Sequence, residues 1–179
     1  MDERGATLVE MVLVIIIMGI LAAFIAPALS GAVSSYDQTS RNIEVLTKMR
    51  YAMERIAREL RAMRRDPFNS SNYDTPSLAS ATKLDFCRTD GTRVSIQQVG
   101  NEVRIDYAGG FGSTTCTAAA GTTNTLTDSV TAFGMSYLTF GGAATASQSQ
   151  LQYIDISMTL TGTGTSAYSS AMRVDLRNP

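Results

Sequence analysis

Histidine and tryptophan are absent from this 179-residue chain, and cysteine occurs only twice. Without histidine, the protein lacks the side chain that most often serves as an acid–base catalyst near neutral pH and as a metal ligand. The sequence also contains no glycine-rich phosphate-binding loop and no serine–histidine or cysteine–histidine set. These absences disfavour an enzyme, and we expect no bound cofactor.

The chain also lacks an excess of either charge, because 15 basic residues face 16 acidic ones and the net charge is −1. A protein that binds nucleic acid through phosphate contacts usually carries a basic surface. One basic run could attract phosphate, but acidic residues interrupt it and no aromatic residue lies within it. It comprises Arg55, Arg58, Arg61, Arg64 and Arg65. We therefore expect a solvated helix face and no nucleic-acid partner.

What the chain has instead is one long apolar segment near its beginning. No charged residue occurs from Met11 to Leu29. As a helix, this segment is roughly 28 Å long, which matches the hydrocarbon core of a bilayer. One acid, Glu10, directly precedes it. A carboxylate is costly in lipid, so an acid in such a segment is a functional candidate by default.

The Gly-Ala-Thr-Leu-Val-Glu junction at positions 5–10, followed by this segment, resembles the class III leader and N-terminal helix of type IV pilins and type II secretion pseudopilins. The resemblance implies that a prepilin peptidase cleaves between Gly5 and Ala6 and methylates the new N-terminus. Glu10 then becomes the fifth mature residue, where the family keeps its glutamate. Gly19 and Pro27 match the family's glycine and helix-bending proline.

Two features depart from the family pattern. Ala6 stands where phenylalanine or methionine is usual, and the leader is not net basic, so the positive-inside rule gives little support for orientation. The leader, Met1 to Gly5, is too short for an ordinary secretory signal peptide. The alternative is a plain signal anchor, which requires neither Glu10 nor the junction before it.

The resemblance extends more loosely into the rest of the chain and favours the J/W type of minor pilin or pseudopilin. The matching segments are residues 53–61, Phe86 with Asp90-Gly91, residues 128–137 and residues 173–178. A subunit of this type is expected to prime or cap a filament. A major pilin and another minor pilin remain open.

The family resemblance also implies partners and a location. The partners are other pilin or pseudopilin subunits, the prepilin peptidase, an inner-membrane assembly platform and membrane lipid. The protein is expected to cross the inner membrane once, with its head outside the cytoplasm, and then to enter a filament or its tip. The alternative function is a single-span anchored extracytoplasmic binding protein, and an anchored enzyme ranks third. Glu10 discriminates, because a filament subunit needs it and an anchored receptor does not.

Beyond Pro27 the helical pattern continues, because apolar residues recur at steps of three and four. They are Ile43, Leu46, Met49, Met53, Ile56, Leu60 and Met63. Pro67 is a plausible stop, which predicts a helix from about Ala6 to about Arg65. Its first half should lie in lipid or a filament core, and the stripe on its second half should pack on a head. We also expect a kink or local unwinding between Gly19 and Pro27.

From Thr82 onward the apolar period changes to two, which indicates β-strands. The strands are marked by Leu84 and Phe86; Val94 and Ile96; Val103, Ile105 and Tyr107; Phe133, Met135 and Tyr137; Ile154, Ile156, Met158 and Leu160; and Met172, Val174 and Leu176. Asp90-Gly91 and Gly100-Asn101 predict hairpin turns. Residues 109–125 are expected to form a loop, and the last two strands to form a hairpin.

The predicted fold is therefore α+β and pilin-like, with a long N-terminal α-helix packed on an antiparallel β-sheet head. Its expected divisions are a leader at 1–5, a transmembrane or filament-core helix at 6–29, an amphipathic second half at 30–66 and a β-rich head at 67–179.

Both cysteines, Cys87 and Cys116, lie beyond the apolar segment. If the head reaches an oxidising compartment, a disulfide between them is favoured, and two unpaired thiols are the alternative. Metal binding by two thiolates without a Cys-x-x-Cys spacing is disfavoured. Calcium binding by Asp85, Asp90 and Asp106 is also disfavoured, since they lack EF-hand spacing.

Overall fold

The structure is a computed structural model that describes residues 7–107, 116, 122–162 and 166–176. One helix precedes the described strands. The elements are α1 (Leu8–Arg61), β1 (Lys83–Cys87), β2 (Arg93–Val99), β3 (Glu102–Asp106), β4 (Thr123–Thr127), β5 (Val130–Leu138), β6 (Tyr153–Thr161) and β7 (Ala167–Asp175). The chain divides into two compact units, Met1–Arg41 and Asn42–Pro179.

The second unit confirms the α+β class, because the part of α1 from Met49 to Leu60 shares one hydrophobic core with antiparallel strands. The predicted stripe is buried over most of its length. Its buried members are Met49, Met53, Ile56, Leu60 and Met63. The stripe begins later than expected, since Ile43 and Leu46 remain 59% and 42% exposed.

The first sheet is the expected meander extended by one strand, with the order β1-β2-β3-β4. Its register aligns Leu84 with Ile96, and Ile96 with Ile105, so apolar side chains form a row across the face toward the core. Both predicted turns are present. Gly91 has a φ of 81° and Gly100 a φ of 61°, conformations that glycine adopts without a Cβ clash.

The second sheet has the order β5-β6-β7, and all its pairs are antiparallel. Met135 lies opposite Ile156, and Ile154 lies opposite Val174. The predicted hairpin between the last two strands is therefore confirmed. The antiparallel head is divided into two sheets, because β5 starts a separate hydrogen-bonded ladder whose apolar face completes the same core.

Two boundaries that the sequence predicted, the end of the helix and the end of a loop, are wrong. The helix ends at Arg61 rather than near Arg65, because the chain turns to pair with β-structure: Met63 bridges Arg88, and the Arg64 N–H donates to the Cys87 carbonyl at 2.9 Å. The predicted loop at 109–125 contains the start of β4 at Thr123. There, threonine at alternate positions, 123, 125 and 127, favours a strand, and pairing with β3 orders it although the segment is polar.

Candidate membrane and assembly segment

The helix begins with a reciprocal capping arrangement between Thr7 and Glu10. Thr7 directly precedes the helix, and its hydroxyl oxygen accepts the Glu10 N–H at 3.4 Å. The Glu10 carboxylate accepts the Thr7 N–H, also at 3.4 Å. This is the capping-box pattern, which satisfies two N–H groups that a helix start leaves without partners. Glu10 thus has a local role that the sequence analysis did not anticipate.

The first unit leaves its apolar surface entirely exposed. Every residue from 7 to 41 is exposed, including all large apolar side chains between Leu8 and Leu29. An 18-residue window of α1 has a mean hydropathy of 2.9, and none of it is buried. Such a surface is unfavourable in water and requires lipid or partner helices to cover it. By length and composition, α1 can cross a membrane.

Gly19 and Pro27 lie within this exposed stretch of helix. A Cβ added at Gly19 would meet nothing within 4 Å, so packing inside the described chain does not require glycine there. The helix continues through Pro27, and the expected local unwinding is not found. A proline removes one backbone hydrogen bond, and the remaining helical bonds on either side hold the segment together. The Ser30 hydroxyl donates to the Pro27 carbonyl at 3.0 Å.

The predicted scissile bond cannot be placed in the same way. Gly5 and Ala6, with the rest of the leader, lie outside the described residues.

In the head, Cys87 and Cys116 form a disulfide, with their Cα atoms 5.9 Å apart. Both residues are buried. The Arg93 guanidinium donates to the Cys116 carbonyl at 3.2 Å, so a buried arginine also holds the Cys116 backbone against β2. The bond closes a sequence separation of 29 residues at the end of β1.

Asp74 lies beside this disulfide, and the three side chains are the one group of possible metal ligands found among the described residues. Both sulfurs are used in the covalent bond, and Asp74 accepts two hydrogen bonds from Arg64 at 2.8 and 2.9 Å. The geometry therefore favours a structural disulfide with an adjacent ion pair over a metal centre. Asp85, Asp90 and Asp106 do not form such a group.

A buried charge cluster connects α1 to the first sheet, and the sequence analysis missed it. The Glu59 carboxylate is 2.9 Å from the Arg55 guanidinium and 3.6 Å from that of Arg88. The Tyr107 hydroxyl donates to Glu59 at 2.8 Å and accepts from Arg55 at 2.6 Å. Burial, and next the hydrogen bond to Glu59, raise the pKa of Tyr107. The hydrogen bond to Tyr107 raises the pKa of Arg55.

One signal could have revealed this cluster. Glu59 lies three residues after Ile56 and directly before Leu60, which places it on the flank of the apolar stripe rather than on the solvated face. The basic run is accordingly dispersed. Arg55 binds Glu59, Arg64 binds Asp74, and Arg65 lies 4.0 Å over the Tyr73 ring.

The head also carries shallow depressions. One of them has a volume of about 510 Å³ and lies at the second sheet, where Ser136, Asp155, Ser157 and Arg173 are among its lining residues. There Arg173 and Asp155 pair through two hydrogen bonds of 2.7 and 2.8 Å. Because these two charges satisfy each other, the depression offers no unpaired charge from this pair to a ligand.

Comparison with the models of known protein families and with curated proteins finds no match for this chain.

Proposed function

We propose that the chain is a structural subunit of a type IV pilus-like filament, most similar to minor pilins and pseudopilins of the J/W type that prime or cap assembly. The observation that carries this proposal is the start of α1. There, a carboxylate at Glu10 opens a helix whose apolar surface is exposed on all sides. A folded head cannot use such a surface, but a membrane and then a bundle of like helices can cover it.

The same observation supports two successive roles for the apolar start of α1. The apolar start of α1 holds the subunit in the inner membrane, with the head outside the cytoplasm. It later enters the filament core together with other pilin or pseudopilin subunits. Gly19 fits this role, because glycine on an exposed helix costs about 1 kcal/mol relative to alanine and nothing in the described chain requires it. A close helix–helix contact would require it. No catalytic role is proposed.

Glu10 supplies the chemistry of assembly in this proposal. In the described part of the chain, its carboxylate bonds only to the Thr7 N–H, a long contact of 3.4 Å. A carboxylate in apolar surroundings requires a charged partner or a proton. The amine created at Ala6 by cleavage provides a partner when it belongs to a neighbouring subunit. A misplaced subunit would leave a charge unpaired, so the pair selects one axial register.

Processing is the first test. The Gly5–Ala6 bond should be cut, and the mature protein from its native host should lack Met1–Gly5 and carry one added methyl group. Intact-mass measurement decides this. A mature chain that still begins at Met1 would contradict the filament proposal and favour the anchored binding protein.

Glu10→Leu is the second test. The variant should insert in the membrane and be cleaved normally, yet join filaments poorly, because breaking a buried charge pair typically costs about 3–5 kcal/mol. Co-purification of the tagged variant with sheared filaments measures the loss. Glu54→Leu is a matched control, since Glu54 is an exposed acid on the same helix that pairs with Arg50.

A further variant separates assembly from helix capping. Thr7→Ala removes the hydroxyl partner of Glu10 but keeps the carboxylate, and its assembly should stay close to normal. If Glu10→Leu assembles as well as Glu54→Leu does, Glu10 has no part in assembly and the anchored binding protein becomes the better reading.

A further inference from the structure

Within the part of the chain that the structure describes, the second sheet has one open edge, at β7. Among these residues, the backbone from 167 to 174 is hydrogen-bonded only to β6. The other edge strands are either covered by neighbouring chain or short. The β5 edge is covered, since the Met135 N–H donates to the Ala81 carbonyl at 2.7 Å, and the β1 edge is covered, since the Cys87 N–H donates to the Asp74 carbonyl at 2.9 Å. The β4 strand has only five residues, and its pairing with β3 is interrupted.

The hydrogen bonds that flank the β6–β7 ladder show which backbone groups face outward. The Leu176 N–H donates to the Gln152 carbonyl, and the Gly162 N–H donates to the Ser166 carbonyl. Hydrogen-bonded and non-hydrogen-bonded pairs alternate along an antiparallel ladder. The even-numbered residues of β7 therefore bond to β6. The N–H and carbonyl groups that point away from it include those of Ala167, Ser169, Ala171 and Arg173.

The β7 strand has few of the features that normally protect an edge, since its two charged residues, Arg173 and Asp175, both lie near its C-terminal end. It has nine residues in continuous register, without proline, lysine or a bulge. Its side chains at the centre are small. Toward the core, Tyr168 and Met172 are only partly buried, so apolar surface remains open beside the unpaired backbone. A strand added here would satisfy the backbone groups and cover that surface.

We propose that β7 pairs antiparallel with β7 of a second copy of this chain, in the register that places Ala171 opposite Ala171. This register sets Ser169 opposite Arg173 of the second copy. It also sets Tyr168 beside Val174 and Ser170 beside Met172 on the core side. The two three-stranded sheets then become one six-stranded sheet.

A second copy of β7 is the partner that we infer, because the strand is compatible with itself in this register. Two small alanines meet at the centre, and no like charges lie opposite each other, which removes the usual barriers to edge pairing. The sole cation in this stretch, Arg173, is already paired with Asp155 inside its own sheet. A twofold interface of this kind closes on itself and does not propagate. The dimer is therefore distinct from any head-to-tail filament contact, and it does not depend on the proposed function.

Cysteine cross-linking of the full chain in native membranes tests the pairing. In a hydrogen-bonded antiparallel pair, the two Ala171 Cα atoms would be about 5.5 Å apart, which suits a disulfide. Ala171→Cys should give a cross-linked dimer. Ser157→Cys is the matched control, because Ser157 lies opposite Ala171 on the central strand β6 and is equally exposed, yet cannot reach a second copy through the edge. It should remain monomeric.

Charge variants give a second, independent measurement. Ala171→Lys and Ala171→Glu should each abolish the dimer, because like charges then oppose one another at its centre, and an equal mixture of the two should restore it. The proposal is overturned if Ala171→Cys stays monomeric, if Ser157→Cys cross-links as well, or if the cross-linked product contains a different protein. Failure of the mixture to restore dimers from chains that are otherwise folded also overturns it.

Discussion

The two halves of α1 share one helical backbone and differ in everything that surrounds it. From residue 7 to 41, every side chain is exposed, and the apolar ones extend around the whole helix. From Asn42 to Arg61, apolar residues follow one stripe, and most of that stripe is buried under strands. The hydrophobic effect acts in both halves, but among the described residues only the second half has an apolar surface packed against it.

The comparison also separates the roles of charge. Glu10 and Glu59 are both acids next to apolar surface. Glu59 is buried and is surrounded by Arg55, Arg88 and Tyr107 from its own chain. Glu10 is exposed, and its carboxylate reaches only Thr7 among the described residues. The head thus neutralises its buried acid internally, and in the first half no described residue offers Glu10 a charged partner.

Leu60→Ala should have the largest effect on the free energy of unfolding, measured on a soluble fragment that begins after Pro27. Leu60 is fully buried, and truncation of such a residue typically costs about 2–5 kcal/mol. Thermal and urea unfolding measure it. The neighbouring exposed Arg61 is the control, and Arg61→Ala should change stability by less than about 0.5 kcal/mol. Equal melts for the two variants would mean that Leu60 faces solvent or a partner.

Removal of the disulfide should have an effect within the same range. Replacing Cys87 and Cys116 by serine should lower stability by roughly 3–4 kcal/mol, because a closed loop of this length restricts the unfolded chain. The first half of α1 contains no cysteine, so membrane association of the full chain should not change. Non-reducing peptide mapping of the exported protein tests whether Cys87 and Cys116 are bonded to each other. Recovery of both residues as free thiols would show that the folded head contains no such disulfide, and the predicted loss of stability would not apply.

Periodicity predicted the parts of the fold that depend on local pattern. The body of the helix, the inward positions of the strands and the turns at Gly91 and Gly100 lie where the apolar period and the glycines indicate. The division into two sheets was not predictable in this way. It depends on which strands exchange hydrogen bonds, and β5 has the same alternating pattern whether it joins the first ladder or begins another.

The features of the candidate site were predictable only where consecutive residues of one segment form them. The exposed apolar helix and the position of Glu10 follow from consecutive residues. The cluster around Glu59 does not, because Arg88 and Tyr107 come from distant parts of the sequence. The position of Glu59 beside the apolar stripe indicates that it lies near the core, but the sequence does not show which residues then surround it. Capping by Thr7 could have been predicted from the sequence, because the Thr-x-x-Glu spacing before an apolar run is a known signal of a helix start.

The smallest expected effect lies at the boundary between the two halves. Ile43 belongs to the predicted stripe, yet it is 59% exposed, so Ile43→Ala should change the stability of the soluble fragment by less than about 0.5 kcal/mol. In the proposed filament this apolar surface is available to another subunit, so the substitution should lower the recovery of the protein in sheared filaments without changing the melting temperature. Met53→Ala reverses this pattern, because Met53 is buried in the core and its loss destabilises the head itself. If Ile43→Ala lowers the melt as far as Met53→Ala does, the head covers Ile43 in solution. The change from outward-facing to inward-facing apolar surface then occurs before residue 43.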